Sequence, residues 1–302
     1  MKKIKEKIVT CLFILLKIFA ASQMLNAQQP FGGGLGIPGN PYIIADRMHL
    51  EELADSVRSP VFSSNYYYYK LICDITDSVR TIIGGYYFIE EPAPLPGWPP
   101  ILREVVSYFN GSFDGQGFHI VLAIKMPPNA TKFDSSEYSN AGLFGKVKNA
   151  VIKNVVVSGY VEAGLSGGIV GSVTGSFFQI SNCTNMAKIT GGIVGGIIGC
   201  HISTGVIENC LNIENVTSTG ATAGGIIGSH QSHKLTIKNC INTGIIKDGN
   251  NGGTGGIVGS IPNHTAFDIT NCVNTGVLEA EPNSNPYGVG GIGPILGNTP
   301  VE

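Results

Sequence analysis

A short apolar pair fenced by glycines recurs through the second half of this chain. It reads GLFG at Gly142 to Gly145, GIVG at Gly168 to Gly171 and again at Gly192 to Gly195, GIIG at Gly225 to Gly228 and GIVG at Gly256 to Gly259, then fades to GIGP from Gly291. The first glycines are 26, 24, 33, 31 and 35 residues apart. Between them lies a second signature: ISNCTN from Ile180, IENCLN from Ile207, IKNCIN from Ile237 and ITNCVN from Ile269, with cysteines spaced 27, 30 and 32 residues apart. IKNVVV from Ile152 is the same element with Val155 in the cysteine position. Six residues after each Cys or Val stands another apolar residue: Val161, Ile189, Val216, Ile246 and Leu278. A unit of this length with three short apolar segments cannot bury them alone, but stacked units can share one core. No segment is long enough for a helix, so each unit predicts three strands and a turn at every corner.

The predicted fold is therefore all-β, a parallel β-solenoid (β-helix) of about eight coils spaced at about 4.8 Å. The fencing glycines are expected at corners that need φ > 0. In I-x-N-C the Ile and Cys are three apart, so a straight strand would point them to opposite faces. A bend at the intervening asparagine (Asn182, Asn209, Asn239, Asn271) would turn both inward, because Asn tolerates the left-handed region. The second asparagines, Asn185, Asn212, Asn242 and Asn274, are placed to hydrogen-bond up the stack. Cys183, Cys210, Cys240 and Cys272 would form one column. They read as a dry thiol ladder, with one or two disulfides or a metal as alternatives that the sequence leaves open.

AGLFGKV, SGGIVGSV, TGGIVGGI, AGGIIGSH and TGGIVGSI resemble the GLUG motif family, named for its Gly-Leu-hydrophobic-Gly core. Such repeats occur in bacterial surface proteins and near the N-termini of some immunoglobulin A1 proteases. The resemblance spans about residues 141–293 by motif. YFNGSFDGQGFHIVLAI resembles the segment that precedes the first repeat, and PYIIADRMHLEELADSV resembles its lead-in helix. The family has no shared catalytic residues to carry over, so the resemblance implies a fold and a surface setting only.

Residues 1–27 read as an export signal: a basic start, a short apolar stretch and a small residue, Ala27, before Gln28. Removing them takes away five of 19 basic and one of 21 acidic residues, leaving 14 against 20 and a net charge of −6. That excludes a basic footprint for nucleic acid. Residues 28–40 read as a flexible leader. Residues 41–140 read as an N-terminal cap and irregular first coils, with Asp46 capping a helix that buries Leu50, Leu53 and Val57, and NYYYYKLICDI as the first strand. The Pro-rich EEPAPLPGWPP, which holds Trp98, reads as a stiff surface loop. Residues 141–302 are the repeats.

Candidate chemistry is sparse. His230 and His233 are expected in a solvated corner loop, and Asp114 in a turn. After Gly142 the acids Glu162, Glu208, Glu214, Asp248, Asp268, Glu279, Glu281 and Glu302 share no repeat position, and no arginine follows Arg103. A polysaccharide-cleaving β-helix enzyme, the alternative function, would need paired carboxylates or a base beside a sugar acid. The expected function is a non-enzymatic, exported or cell-surface interaction module, without cofactor or metal. It would bind a host or matrix glycan or protein through corner loops such as Ser229 to Lys234 and Lys247 to Thr254.

Overall fold

The structure, a computed structural model, describes residues 31–59, 62, 65–92, 101–125, 139–231, 234–248, 253–261, 267–280, 292–293 and 296–298. The export signal, Trp98, His233, Glu281 and Glu302 lie outside the described residues. The chain winds into a parallel β-solenoid of about seven turns with three faces. The first face stacks eight strands, from Tyr42–Ile44 and Tyr67–Leu71 through Gly111–Asp114 and Val151–Lys153 to Phe267–Thr270. The second is a branched 13-stranded sheet that starts at Ile75–Val79 and His119–Lys125, and the third stacks six strands from Phe144–Lys148 to Leu296–Asn298.

Register aligns like with like. On the first face one inward column runs Tyr42, Tyr69, Phe113, Ile152, Ile180, Ile207, Ile237, Ile269. On the second, Ile124, Val161, Ile189, Val216, Ile246 and Leu278 form another. Between these two columns the chain turns at Asn154, Asn182, Asn209, Asn239 and Asn271, whose φ values are 55°, 54°, 56°, 52° and 54°. This left-handed residue resets strand parity, so Cys183, Cys210 and Cys240 are buried as well as the isoleucines three residues before them.

A third column on the second face changes character along the stack. It begins Ile75, Ile120, Val157 and continues as Asn185, Asn212, Asn242, Asn274. Asn185, Asn212 and Asn242 are fully buried. Each Nδ2 donates to the Oδ1 one turn on, at 2.8, 2.7 and 2.7 Å, and also to the backbone carbonyl two residues ahead at 2.9, 2.9 and 3.0 Å. Buried amides are tolerable only when paired in this way.

The fencing glycines serve a different purpose from the one their position suggests. Gly142, Gly145, Gly168, Gly171, Gly192, Gly195, Gly225, Gly228 and Gly259 are not in the left-handed region. They are small because the corner is crowded. A Cβ on Gly196 would stand 2.5 Å from Asn212 Cγ, and one on Gly225 2.5 Å from Asn242 Cγ. The bend itself shows in the hydrogen bonds: Ile197 and Ile198 N–H both donate to Ile226 O, and Ile226 and Ile227 to Ile257 O. Both members of each pair can then point inward, and both are buried.

Register also corrects the repeat. Val170 pairs with Ile198, then Ile227, Val258 and Leu296. The third unit is therefore Gly196 to Gly199, not Gly192 to Gly195, and the first four spacings become an even 26, 28, 29 and 31. Gly195 instead aligns with Gly167 and Gly224, one residue before the motif. At the worn end Leu296 stands against Val258 and Gly293 against Gly255, so the sixth pair falls after Gly291, which is outside the described residues.

At the N-terminal end the helix Arg47–Arg58 buries Leu50, Leu53, Ala54 and Val57, with Asp46 Oδ1 accepting from His49 N at 2.9 Å. The first strand is Tyr42–Ile44, one rung before the tyrosine run. The described part of the leader is not free: Phe31 is buried against Tyr42 and Tyr69, with ring centroids 4.9 and 5.5 Å apart. Gly85–Glu91 and Ile101–Ser107 form an antiparallel hairpin; residues 93–100 lie outside the described residues.

Four substitutions separate these causes. Asn212→Ala strands the Asn185 amide, the Asn242 oxygen and the Glu214 carbonyl, and is expected to cost several kcal/mol at about 1–3 per unsatisfied group. Gly225→Ala drives a methyl into the Asn242 amide and should cost about 3 kcal/mol or more. Asn239→Gly should change stability by less than about 1 kcal/mol, whereas Asn239→Val forces a β-branched residue into the left-handed region and costs more. Denaturation midpoints followed by circular dichroism rank all four.

Candidate functional site

The four repeat cysteines share one column and are free thiols. Each Sγ donates to the carbonyl two residues before it: Cys183 to Ser181 at 3.3 Å, Cys210 to Glu208 at 3.4 Å, Cys240 to Lys238 at 3.3 Å and Cys272 to Thr270 at 3.4 Å. The Cys240 thiol is pushed up to about 12, first by its hydrogen bond with Cys210 and then by burial. Cys210 is raised well above its ordinary value, chiefly by its bond with Cys183. Cys200 lies on the third face with Ser172 and Ser229, and burial raises it to about 11. The rises at Cys200, Cys210 and Cys240 run opposite to the lowered pKa of a reactive cysteine.

His230 is not in a solvated loop. It is in the strand Ile227–His230, fully buried, paired in register with His201. The two imidazoles stack at 4.9 Å and 24°, with Nδ1 to Nδ1 at 2.8 Å, so one ring donates and the other accepts. Phe178 closes the stack at 4.9 Å from His201. Correct register would have exposed this pair, because His201 and His230 fall three residues after Ile198 and Ile227, where Val147 and Val173 stand in earlier turns. The same strand takes Ser229 into the wall, and Lys247 and Asp248 belong to Ile246–Asp248. The corner loops therefore keep few described residues outside the strands.

The acids are spread among structural partners. Asp114 accepts from Asn154 Nδ2 at 2.9 Å and Gln116 N at 3.0 Å, and pairs with Lys153 at 3.1 Å. Burial raises its pKa, but these bonds outweigh it and hold the carboxyl below its ordinary value. Gln116 and Gly117, at φ 54° and 81°, complete the turn expected there. Glu162 pairs with Lys125 at 2.9 Å and Glu279 with Lys247 at 3.5 Å, each across one rung. Glu208 accepts from Gln179 at 3.1 Å. Among the described residues no group of three or more His, Cys, Asp or Glu could hold a metal ion.

One concavity is built differently. Where the hairpin leans on the solenoid, a cleft of about 400 Å³ is lined by Val57 and Arg58 at the helix end, Tyr87, the strand residues Val105 to Tyr108, Asn110, Lys148 and Asn149. Its cations lie over rings: Arg58 at 5.7 Å from Tyr87 and Lys148 at 5.9 Å from Tyr108. Just outside, Lys146 stands 4.6 Å from the Tyr86 ring and 6.0 Å from Tyr108. Tyr87 Oη donates to Arg58 O at 3.1 Å, tying hairpin to helix. Among the described residues no aspartate or glutamate lines the cleft. Sequence reasoning missed it because its walls come from three distant segments, and the hairpin does not follow the repeat.

No family model matches the chain. It is 27% identical over 152 residues to a protein of Evansella cellulosilytica provisionally described as a Gly-rich membrane protein. That match covers 50% of this chain and only 15% of the other. Among solved structures it is similar to a crystal structure from Bacteroides ovatus, provisionally titled an immunoglobulin A1 protease. The TM-score is 0.55 with 19% identity, over 88% of this chain and 74% of that one. That likeness shows the fold. Among the described residues no helix is long and apolar enough to cross a membrane.

The thiol column has a pH signature. A thiol whose pKa is higher folded than unfolded stabilises the fold fully below the unfolded value, and that share is lost as pH rises toward the folded value. Stability should thus fall between about pH 9 and 12, from the Cys240 shift and an unfolded thiol near 8.5. Cys240→Val should flatten that fall. Maleimide labelling at pH 8 should reach Cys240 only after denaturant is added.

Proposed function

We propose that this chain is an exported, surface-displayed β-solenoid that works as a binding module for an extracellular glycan or protein. The observation that carries this reading is the hairpin cleft. Beyond the N-terminal leader and helix, the described chain otherwise stacks one rung upon the next. At Gly85–Ser107 it departs from the coil to build a fixed wall of tyrosines and cations against the stack. A rigid scaffold that presents such a cleft needs little ordering on binding. Export is supported by the residues before Gln28, and by a relative described as a Gly-rich membrane protein.

The binding surface in this reading is the cleft, not the corner loops named by sequence, since Ser229 and His230 are wall residues. The enzyme alternative asks for two carboxylates about 5–10 Å apart around a bound sugar, whereas Glu162, Glu208 and Glu279 each meet a side chain one rung away and Glu214 accepts from the Asn215 N–H beside it.

The full chain, expressed with its leader, is expected to appear outside the cytoplasm with a new N-terminus near Gln28. Probed on glycan and extracellular-protein arrays, the purified product should bind a defined subset, and it should leave a polysaccharide panel intact. Release of reducing ends or unsaturated sugars would replace the binding module with the enzyme. Silence on both arrays would remove the binding reading.

A further inference from the structure

Two residues of the cleft belong to a column that continues beyond it on both sides. This step rests on the binding reading above and extends the same site. At the edge where the chain enters the first face, Tyr66, Asn110, Asn149 and Phe177 each stand two residues before the registered strand positions Tyr68, Ser112, Val151 and Gln179. They therefore hold one place on four successive rungs, a span of about 14 Å at the strand spacing. Asn110 and Asn149 line the cleft, and Tyr66 and Phe177 flank them with 40% and 47% of their surface exposed. A single exposed apolar side chain needs no explanation, but two rings that bracket two amides on one edge form a pattern. None of the four carries a charge.

The backbone along this edge is already committed. Lys148 N donates to Phe109 O at 2.9 Å, Gln179 N to Ala150 O at 3.0 Å and Phe178 N to Thr204 O at 3.1 Å. An extended peptide that binds by adding a strand finds no open ladder here. The side chains are in the opposite state. Asn149 Oδ1 accepts from Ser176 N at 2.9 Å and Phe177 N at 3.4 Å, which fixes the amide and the ring beside it. A Cβ on Gly175 would stand 2.6 Å from that oxygen, so the turn is shaped around the amide. Among the described residues the Asn149 Nδ2 has no acceptor, and the Asn110 amide has no partner at either end. Each amide thus keeps N–H donors for hydroxyl groups. Tyr108, two residues before Asn110, adds a third ring inside the cleft.

We propose that the cleft and its two flanking rings bind a neutral, linear glycan that runs along the solenoid axis. Pyranose rings pack their apolar C–H faces on Tyr66 and Phe177, as aromatic faces favour, and the hydroxyls between them meet Asn110 and Asn149. A span of three rungs calls for several linked sugars, because a single sugar reaches only one of the rings. The stack fixes the ring–amide–ring spacing before the ligand arrives, so little ordering opposes binding. An acidic peptide or a small anion would use neither ring.

Calorimetric titration of the purified full chain tests this with cellohexaose, xylohexaose, laminarihexaose and mannohexaose, each beside its disaccharide. Tri-galacturonate and polyglutamate complete the set. At least one hexasaccharide should bind more tightly than its disaccharide by about tenfold or more, the contribution of a second ring. Its affinity should not change with added salt, since no charge is paired. Phe177→Ala and Tyr66→Ala should each weaken binding about tenfold, with the melting curve unchanged because both rings are exposed. Phe177→Tyr and Tyr66→Phe keep a ring and should bind like the parent. Two independent rings keep the test decisive should one alanine variant disturb the fold. Failure of every hexasaccharide to bind, equal affinity for hexasaccharide and disaccharide, indifference to both ring removals, or a preference for tri-galacturonate or polyglutamate would each overturn the proposal. If the arrays give a ligand that Tyr108→Ala or Lys148→Glu releases and the flanking-ring variants retain, the axial glycan falls and the cleft reading stands. If nothing binds anywhere, both fall.

Discussion

The buried amide column of Asn185, Asn212 and Asn242 sets the terms for the rest of the repeat. A primary amide in a dry interior is costly unless its donors and its oxygen are all used. Here each nitrogen reaches the next amide and its own backbone; the oxygens of Asn212 and Asn242 are taken by the turn before, and that of Asn185 by Ala187 N. That closure works only if successive turns hold one distance and one register, so the column penalises slippage in a way that a column of isoleucines does not. The apolar ladders drive burial, and the amides fix which residue faces which.

This constraint reaches the glycines. The corner between the second and third faces passes so close to the amides that a single methyl at Gly196 or Gly225 would collide with Asn212 or Asn242. The two sequence signatures are therefore one structural unit seen from two sides: the asparagine fills a space that the glycine vacates. In the turns before Asn185 the column is Ile75, Ile120 and Val157, and there the aromatic rings of Phe109, Phe113 and Phe144, 4.7 and 5.3 Å apart, fill the wider interior instead. The solenoid thus passes from a ring-packed base to an amide-locked shaft.

Much of this was legible because stacked β-structure writes its core as strict spacing. The Ile column, the residues six after each cysteine and the bend at Asn182 and its equivalents follow from side-chain parity alone. The glycines were misread because sequence shows that a residue is small, not whether space or φ demands it. The unit at Gly196 was misplaced because TGGIVGGIIG offers two overlapping matches, and only backbone pairing chooses between them. That same slip of four residues hid His201 and His230, since the column they continue becomes visible only in the correct register. The hairpin cleft was out of reach for another reason. Its residues, from Val57 to Asn149, are joined by tertiary packing between segments that share no period.

That division also bears on where evolution can place function on such a stack. Residues inside the shaft are bound to their neighbours above and below, so a change in one rung is felt by two others. The charged pairs on the outer faces, Lys125 with Glu162 and Lys247 with Glu279, likewise span rungs. The hairpin is exempt. Its strands pair only with each other among the described residues; Tyr87 ties it to Arg58 of the helix, and Tyr86 to the Lys146 side chain on the third face. Substitutions on its cleft face can therefore alter charge and ring chemistry without breaking any repeating contact. A rigid shaft that carries an irregular, aperiodic hairpin separates the part that must stay the same from the part that can vary.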